Sequence, residues 1–322
     1  MRFLAGRLLH GLFLLFGVSV LSFLFVALAP GSFLDEMRLS PQISPETVAA
    51  LRAQYGLDRP LPVRYARWVR SVLRGELGFS FAYNTPAAPL LRVRARNTLV
   101  LTGSATLLAW ATAIPIGVWA AARKGRAVDQ LTTASATALL AVPDLLLALG
   151  LLLLAVRTGW FPTGGMVSLG FEGLGFGAKV KDAARHLTLP VVTLVVGTLP
   201  VLVKHVRAAM IEVLDSAFLR TARGHGIPRQ RLLFRYALPA AANPLISLFG
   251  FSVGALLSTS LLVEVVMSWP GLGPLLLEAI LARDLYLVIG AVMFSTVFLL
   301  AGNLLADVLL YANDPRIRTG ER

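Results

Sequence analysis

The sequence predicts an all-α polytopic membrane protein with six transmembrane helices, and three observations predict it. Of the 322 residues, 56% are hydrophobic and 15% charged, with a mean hydropathy of +0.73. Soluble domains run at about 45–50% apolar and about 25% charged, so no soluble core could hide this much apolar surface. Six stretches also reach the roughly 20 apolar residues that a helix needs to cross a bilayer, where backbone polar groups must be paired within the segment. Finally, 30 Lys and Arg stand against 17 Asp and Glu, a net charge of +13 confined to the few polar stretches. That distribution suits anionic lipid head groups or an acidic protein partner. It does not suit nucleic acid, because no continuous basic domain could track phosphates.

The first apolar stretch, residues 8–29, follows Arg2 and Arg7. Ala27-Leu28-Ala29 has the form of a signal-peptidase site, yet the run exceeds the roughly 7–15 residues of a signal h-region. The expectation is a retained helix within residues 1–30.

Residues 31–97 read as a long external loop. Ser44-Pro45-Glu46 has the form of a capped helix start. Further on, Arg64, Arg67 and Arg70 recur at helical spacing opposite Tyr65, Trp68, Val69, Val72 and Leu73. This amphipathic helix fits a membrane surface, or equally the face of neighbouring protein in a small cap.

Residues 98–322 hold the other five helices. The second, 98–121, is stopped by Arg123, Lys124, Gly125 and Arg126. The third, 131–156, carries Pro143-Asp144 near its middle. A glycine-rich loop to residue 186 follows, with Trp160 and Phe161 at aromatic-belt positions. The fourth, 187–206, holds Pro190 and Pro200 as expected kinks or breaks. The fifth and sixth cover 245–267 and 287–310, and a polar basic tail ends the chain.

Orientation follows from basic residues in short loops. Arg123, Lys124 and Arg126, then Arg207 through Arg235, then Arg316, Arg318 and Arg322 all fall on one side, which predicts both termini in the cytoplasm. The loop after the first helix, with ten arginines and five acids, would then lie outside. Loops longer than about 60 residues are largely exempt from the rule.

Cysteine is absent, and His10, His186, His205 and His225 stand in separate segments without ligand spacing. Neither a disulfide nor a metal site is expected. Lys124, Lys179, Lys181 and Lys204 never complete GxxxxGK[ST], so a nucleotide-phosphate cradle is not expected in this chain. GFGAK at 175–179 reads as a plain loop.

Between the fourth and fifth helices, at about 207–243, lies a basic polar segment that cannot be core. Leu219, Ala222, Leu232, Leu233, Tyr236 and Leu238 give it a modest apolar face, while Gly224, Gly226 and Pro228 divide it into two short helices. Such a pair makes a protruding knob; the plainer reading is an amphipathic linker on the inner leaflet. Arg220-Thr221-Ala222, then Gly226, then Tyr236, Leu238 and Pro239 resembles the EAA loop of permease subunits of binding-protein-dependent ABC importers. Arg220 and Thr221 replace the general Glu and Ala, as in the peptide and nickel branch. Val263 through Trp269-Pro270-Gly271-Leu272-Gly273, the tail from Asn303 through Tyr311 to Asp314-Pro315-Arg316, and DRPLPVRYARWV at 58–69 are similar to that branch too.

The resemblance covers nearly the whole chain and implies a B-type permease of a dipeptide, oligopeptide or nickel importer, with a type I ABC importer permease fold. It implies a coupling helix around residues 217–226 seated in a cytoplasmic ATPase, with Arg220, Thr221, Ala222, Gly226, Tyr236, Leu238 and Pro239 in the coupling loop. The implied partners are a second homologous permease, two ATPase subunits, an extracytoplasmic binding protein and membrane lipid. ATP and Mg belong on the ATPases, with no cofactor in this chain.

Polar residues within spans are costly, about 2.5–3.5 kcal/mol for a central carboxylate, and mark either a pathway or interhelical bonding. Asp144 is open to both readings. Glu264 with Trp269 and Pro270 would close the outer end of a pathway or merely cap a helix. Asn303 and Asp307 fit interhelical bonding, with lining of the pathway as the alternative, and Asn303 is taken as the pathway candidate. Gly250 and Gly254 form a small-xxx-small pair for close helix packing. A secondary transporter would need inverted repeats, and an intramembrane hydrolase would need a partner for Asp144; the sequence offers neither.

Overall fold

The computed structural model describes residues 2–28, 31, 33–38 and 44–314. Ala29, Pro30, Pro315, Arg316, Arg318 and Arg322 lie outside them. In chain order the helices are α1 (Arg2–Leu28), α2 (Phe33–Met37), α3 (Pro45–Tyr55), α4 (Leu61–Val72), α5 (Ala87–Ala122), α6 (Ala127–Leu140), α7 (Asp144–Thr158), α8 (Phe176–Leu214), α9 (Ala217–Gly224), α10 (Arg229–Arg231), α11 (Leu238–Ala240), α12 (Ala242–Val266), α13 (Leu272–Leu281) and α14 (Leu285–Asn313). Strands β1 (Phe79–Ser80) and β2 (Thr85–Pro86) pair antiparallel, Phe79 opposite Pro86 and Ser80 opposite Thr85.

Among the described residues, α1, α5, α8, α12 and α14 are each long and apolar enough to cross a membrane, and α6 with α7, bent by 93°, reaches that length and hydropathy as a pair, which brings the number of spans to six if the pair is one span. The expected third helix is therefore broken, and the cause is Pro143. It has no N–H to give back to the preceding turn and drives the residue before it away from helical dihedrals. Its own φ of −60° and ψ of 139° start α7 at Asp144. Pro190 and Pro200, by contrast, sit inside an unbroken 39-residue α8, which extends well past the expected 187–206. Likewise α5 starts at Ala87 rather than near 98. Arg92, Arg94 and Arg96 depress hydropathy there, yet Ala87, Leu91 and Ala95 bury one face.

The chain forms two compact units. The first comprises Met1–Arg7, Leu99–Trp269 and Leu299–Arg322. In it α8 packs against α6, α7 and α12. Ala105, Ala109 and Ala113 repeat every fourth residue on α5 and enter a core with Leu194, Leu202 and Leu256. Small residues at that spacing let helix backbones approach. A Cβ on Gly117 would lie 2.7 Å from Val206, one on Gly250 2.9 Å from Ala306, and one on Gly254 2.5 Å from Leu299, so α12 and α14 meet through the glycine pair.

The second unit comprises Leu8–Thr98 and Pro270–Phe298. Here the amphipathic face of α4 meets protein: Trp68 is 5% exposed and clusters with Phe23 and Ile289, while the Tyr65 hydroxyl lies 2.7 Å from Ser19 Oγ. The opposite side of α1 keeps Leu9 and Phe13 largely exposed, at 68% and 73%, as a lipid-facing helix requires. The short apolar α13, absent from the sequence reading, follows the turn at Pro270-Gly271.

Candidate functional site

The polar knob is built on its buried side. α8 ends at Leu214, Ser216 starts α9, and Leu219, fully buried, enters a cluster with Val206, Met210, Leu232 and Ala237. Ala222, Leu233 and Leu238 are half-buried against that cluster. Tyr236 is 37% exposed, so it leaves the apolar face that the sequence assigned it to. Arg220 and Thr221 point away from the cluster and are exposed. Beside them stands Phe218, 50% exposed, which the sequence reading passed over. Its signal was available: Phe218 and Thr221 lie three apart, one face round from Leu219 and Ala222.

After α9 the chain turns at Gly226, whose φ is +76°. A side chain there would meet nothing within 4 Å, so glycine is required by the backbone angle and not by crowding. Pro228 does not end α9, which stops at Gly224; it starts α10 instead. Leu232–Ala237 is wound as a π turn, directly ahead of Pro239. Proline cannot return an N–H to the preceding turn, and the widened turn accommodates that loss.

The knob is tied to the α5–α6 corner. Lys124 Nζ lies 2.9 Å from Asp215 Oδ2, and this hydrogen bond holds the Asp215 carboxyl below the usual carboxylate range. Arg229 donates to the Ala122 carbonyl. The corner itself is pinned by Asp129, 3% exposed, which accepts from Gly125 N at 2.9 Å and from Arg207 Nη2 at 2.8 Å.

The pathway candidates occupy separate places. Asp144 opens α7 at the 93° bend, where a Cβ on Gly197 of α8 would fall 2.5 Å from its Oδ1. Glycine at 197 therefore leaves the room the carboxylate occupies. Glu264 is fully buried, and its carbonyl accepts from Trp269 N at 2.8 Å, closing α12. Ser268 takes a φ of +51° in that turn and Trp269 is 1% exposed. The glycine-rich loop rests on the same turn: Gly165 N donates to Ser268 O at 3.2 Å, and a Cβ on Gly164 would sit 3.1 Å from Met267 O. In the second unit the Pro270 carbonyl accepts from Asn97 Nδ2 at 2.8 Å. Asn303 faces Gly250, and Asp307 pairs with Arg7 at 3.2 Å.

Residues 113–319 match the family model described as binding-protein-dependent transport system inner membrane component, and residues 1–102 match the N-terminal model of the same systems. The oligopeptide transport system permease protein AppB of Bacillus subtilis is 34% identical over 317 residues, 98% of each chain. The dipeptide transport system permease protein DppB of Escherichia coli K12 is 34% identical over 321 residues, 94% of each. OppB of Mycobacterium tuberculosis is 33% identical over 323 residues, 98% of this chain and 99% of its own. Among solved structures, a chain of the inward-facing MetNI methionine ABC transporter superposes with a TM-score of 0.51 at 19% identity, covering 72% of this chain and 97% of that one. That likeness is one of fold.

Proposed function

We propose, from the premise that this chain belongs to the family of binding-protein-dependent transport system inner membrane components, that it is a peptide permease. It is a multi-pass inner-membrane permease subunit of an ABC importer, and it carries peptides, as relatives matched over almost their whole length are named for doing. A homologous second permease completes the pathway, and an extracytoplasmic binding protein delivers the substrate. Two cytoplasmic ATPases supply ATP and Mg, and this chain itself hydrolyses nothing. Both termini lie in the cytoplasm on this reading.

The observation that carries the mechanism is the shape of α9. Its inner face, Leu219 and Ala222, is packed into the helix ends, while Phe218, Arg220 and Thr221 are presented outward. A helix anchored on one side and bare on the other transmits a push from an ATPase groove into α8 and α12. Gly226, Tyr236, Leu238 and Pro239 shape the return of the chain, and alternating access then follows as a population shift between two packings. Asp144, Glu264, Trp269, Pro270 and Asn303 are the candidates for pathway and gate. Asp144 is suited to a peptide ammonium group, because a carboxylate at span depth needs a cation or donors to offset its desolvation.

The test is reconstitution with the partner subunits. Peptide-stimulated ATP hydrolysis and peptide uptake are expected in proteoliposomes, and Phe218→Ala with Arg220→Ala should abolish the stimulation while binding-protein affinity for peptide stays unchanged. Uptake by this chain alone, without ATPases, would sink the reading.

A further inference from the structure

At the α5–α6 corner a cavity of about 490 Å³ opens beneath the knob, lined by Arg123, Lys124, Arg126, Arg223 and Arg229, with Asp215 as its acid. Its charge is not balanced from within. Asp215, the single acid of the lining, is bonded to Lys124 at 2.9 Å, and among the described residues Arg229 bonds the neutral carbonyl of Ala122. Arg123 has no carboxylate partner among the described residues. Its Nη1 is sealed from solvent without a hydrogen bond, and its guanidinium lies 4.7 Å from the ring centroid of Trp119. Gathering several like charges around one recess is unfavourable unless an anion offsets them.

The recess is also held in shape. Gly125 N–H on Asp129, and Asp129 on Arg207, fix the loop that carries Arg123 and Arg126, while buried Leu219 and Leu232 fix the segments that carry Arg223 and Arg229. Planar guanidinium forks match phosphate oxygens two at a time. The volume lies within the roughly 300–1,000 Å³ of small-molecule sites and exceeds what a bare phosphate fills. Trp119, 52% exposed one turn before the corner, is of the residue type that aromatic belts place at the head-group level.

We infer that this cavity binds a phosphate-bearing anion, with an anionic phospholipid head group as its source, and that the occupant joins the α5–α6 corner to α9. The site is distinct from the outward face of α9 and independent of which solute is carried.

The permease complex would be placed in nanodiscs of phosphatidylcholine, alone or in equimolar mixture with phosphatidylglycerol. Retained lipid would be read by native mass spectrometry and amide exchange followed at residues 121–126 and 223–233. Phosphatidylglycerol should be retained in preference and should slow exchange in both segments. R123Q and R126Q should each weaken that retention roughly fivefold, the equivalent of one surface arginine, whereas R123K, which keeps the charge without the fork, should lose less, and the off-cavity control R231Q/R235Q should not change it. Inorganic phosphate added to phosphatidylcholine discs tests the other source, and equal protection there would assign the site to soluble phosphate. The inference is overturned if neither anion protects, if the control loses as much as the cavity variants, or if protection in phosphatidylcholine appears only when the ATPases are docked. That last outcome would assign the cations to protein carboxylates. Should a glutamine variant fail to assemble, the comparison of phosphatidylglycerol with phosphatidylcholine on the wild-type complex still decides the inference, because equal exchange in the two discs overturns it.

Discussion

Gly226 shows how a single residue can be demanded by an angle alone. With φ at +76° and nothing within 4 Å of the place a Cβ would take, substitution costs conformational energy, about 1–2 kcal/mol for an ordinary L-residue, without a clash. Gly226→Val should therefore leave the fold intact and uncouple hydrolysis from transport, while Gly226→Asn, which tolerates left-handed dihedrals, should retain much more transport. Equal transport by wild type and the valine variant would remove Gly226 from the coupling route. The Asp129–Arg207 pair carries the opposite kind of demand. Asp129 is 3% exposed, so Arg207→Gln strands a buried carboxylate at a cost of roughly 3 kcal/mol. A lowered thermal midpoint is expected, recovered in part by the double variant with Asp129→Asn; additive losses would deny the coupling.

Among the elements, the β1–β2 hairpin is held by side chains and not by its own two-residue strands. Asp284, fully buried, accepts from Ser80 Oγ at 2.7 Å and from Ala82 N at 3.1 Å at the start of α14. Asp284→Ala should cost about 2 kcal/mol, as bonds to a charged acceptor do, and expose residues 79–86 to limited proteolysis. Tyr83 donates to Glu278 in the same unit, and burial together with that bond pushes its phenol up to about 12. Because the folded value is raised above 10, the stabilisation is complete below pH 10 and is lost as pH rises through about 12. Phenolate absorbance should show late-titrating tyrosine, reduced by one equivalent in Tyr83→Phe.

For the whole molecule, the consequence is dependence on partners. The bare outer side of α1 needs lipid, and the outward face of α9 has no cover among the described residues. The assembled complex should therefore protect α9 amides from exchange that the isolated subunit shows, and unchanged protection would deny that α9 is buried by a partner.

How much was legible in the sequence depended on whether a property is local. Apolar runs of 20 or more residues reported the spans, and the spacing from Arg220 through Gly226 to Pro239 reported the knob, because hydropathy and turn chemistry act over a few residues. The start of α5 at Ala87 was hidden by Arg92, Arg94 and Arg96, since a mean over a window cannot see that Leu91 is buried while Arg92 and Arg96 are exposed. Pro143 broke its helix and Pro190 and Pro200 did not, although the residue is the same in each. What the sequence could not show is that Pro190 and Pro200 are buried along α8 beside Leu189, Val191, Leu194 and Leu202. So the sequence by itself determined a six-span helical membrane protein with a two-helix knob through local composition, and its permease character only through resemblance. Only the tertiary structure decided which side of α4 and α9 is covered, where the third span bends, and that five cations from three segments share one cavity, because burial and convergence depend on residues far apart in the chain.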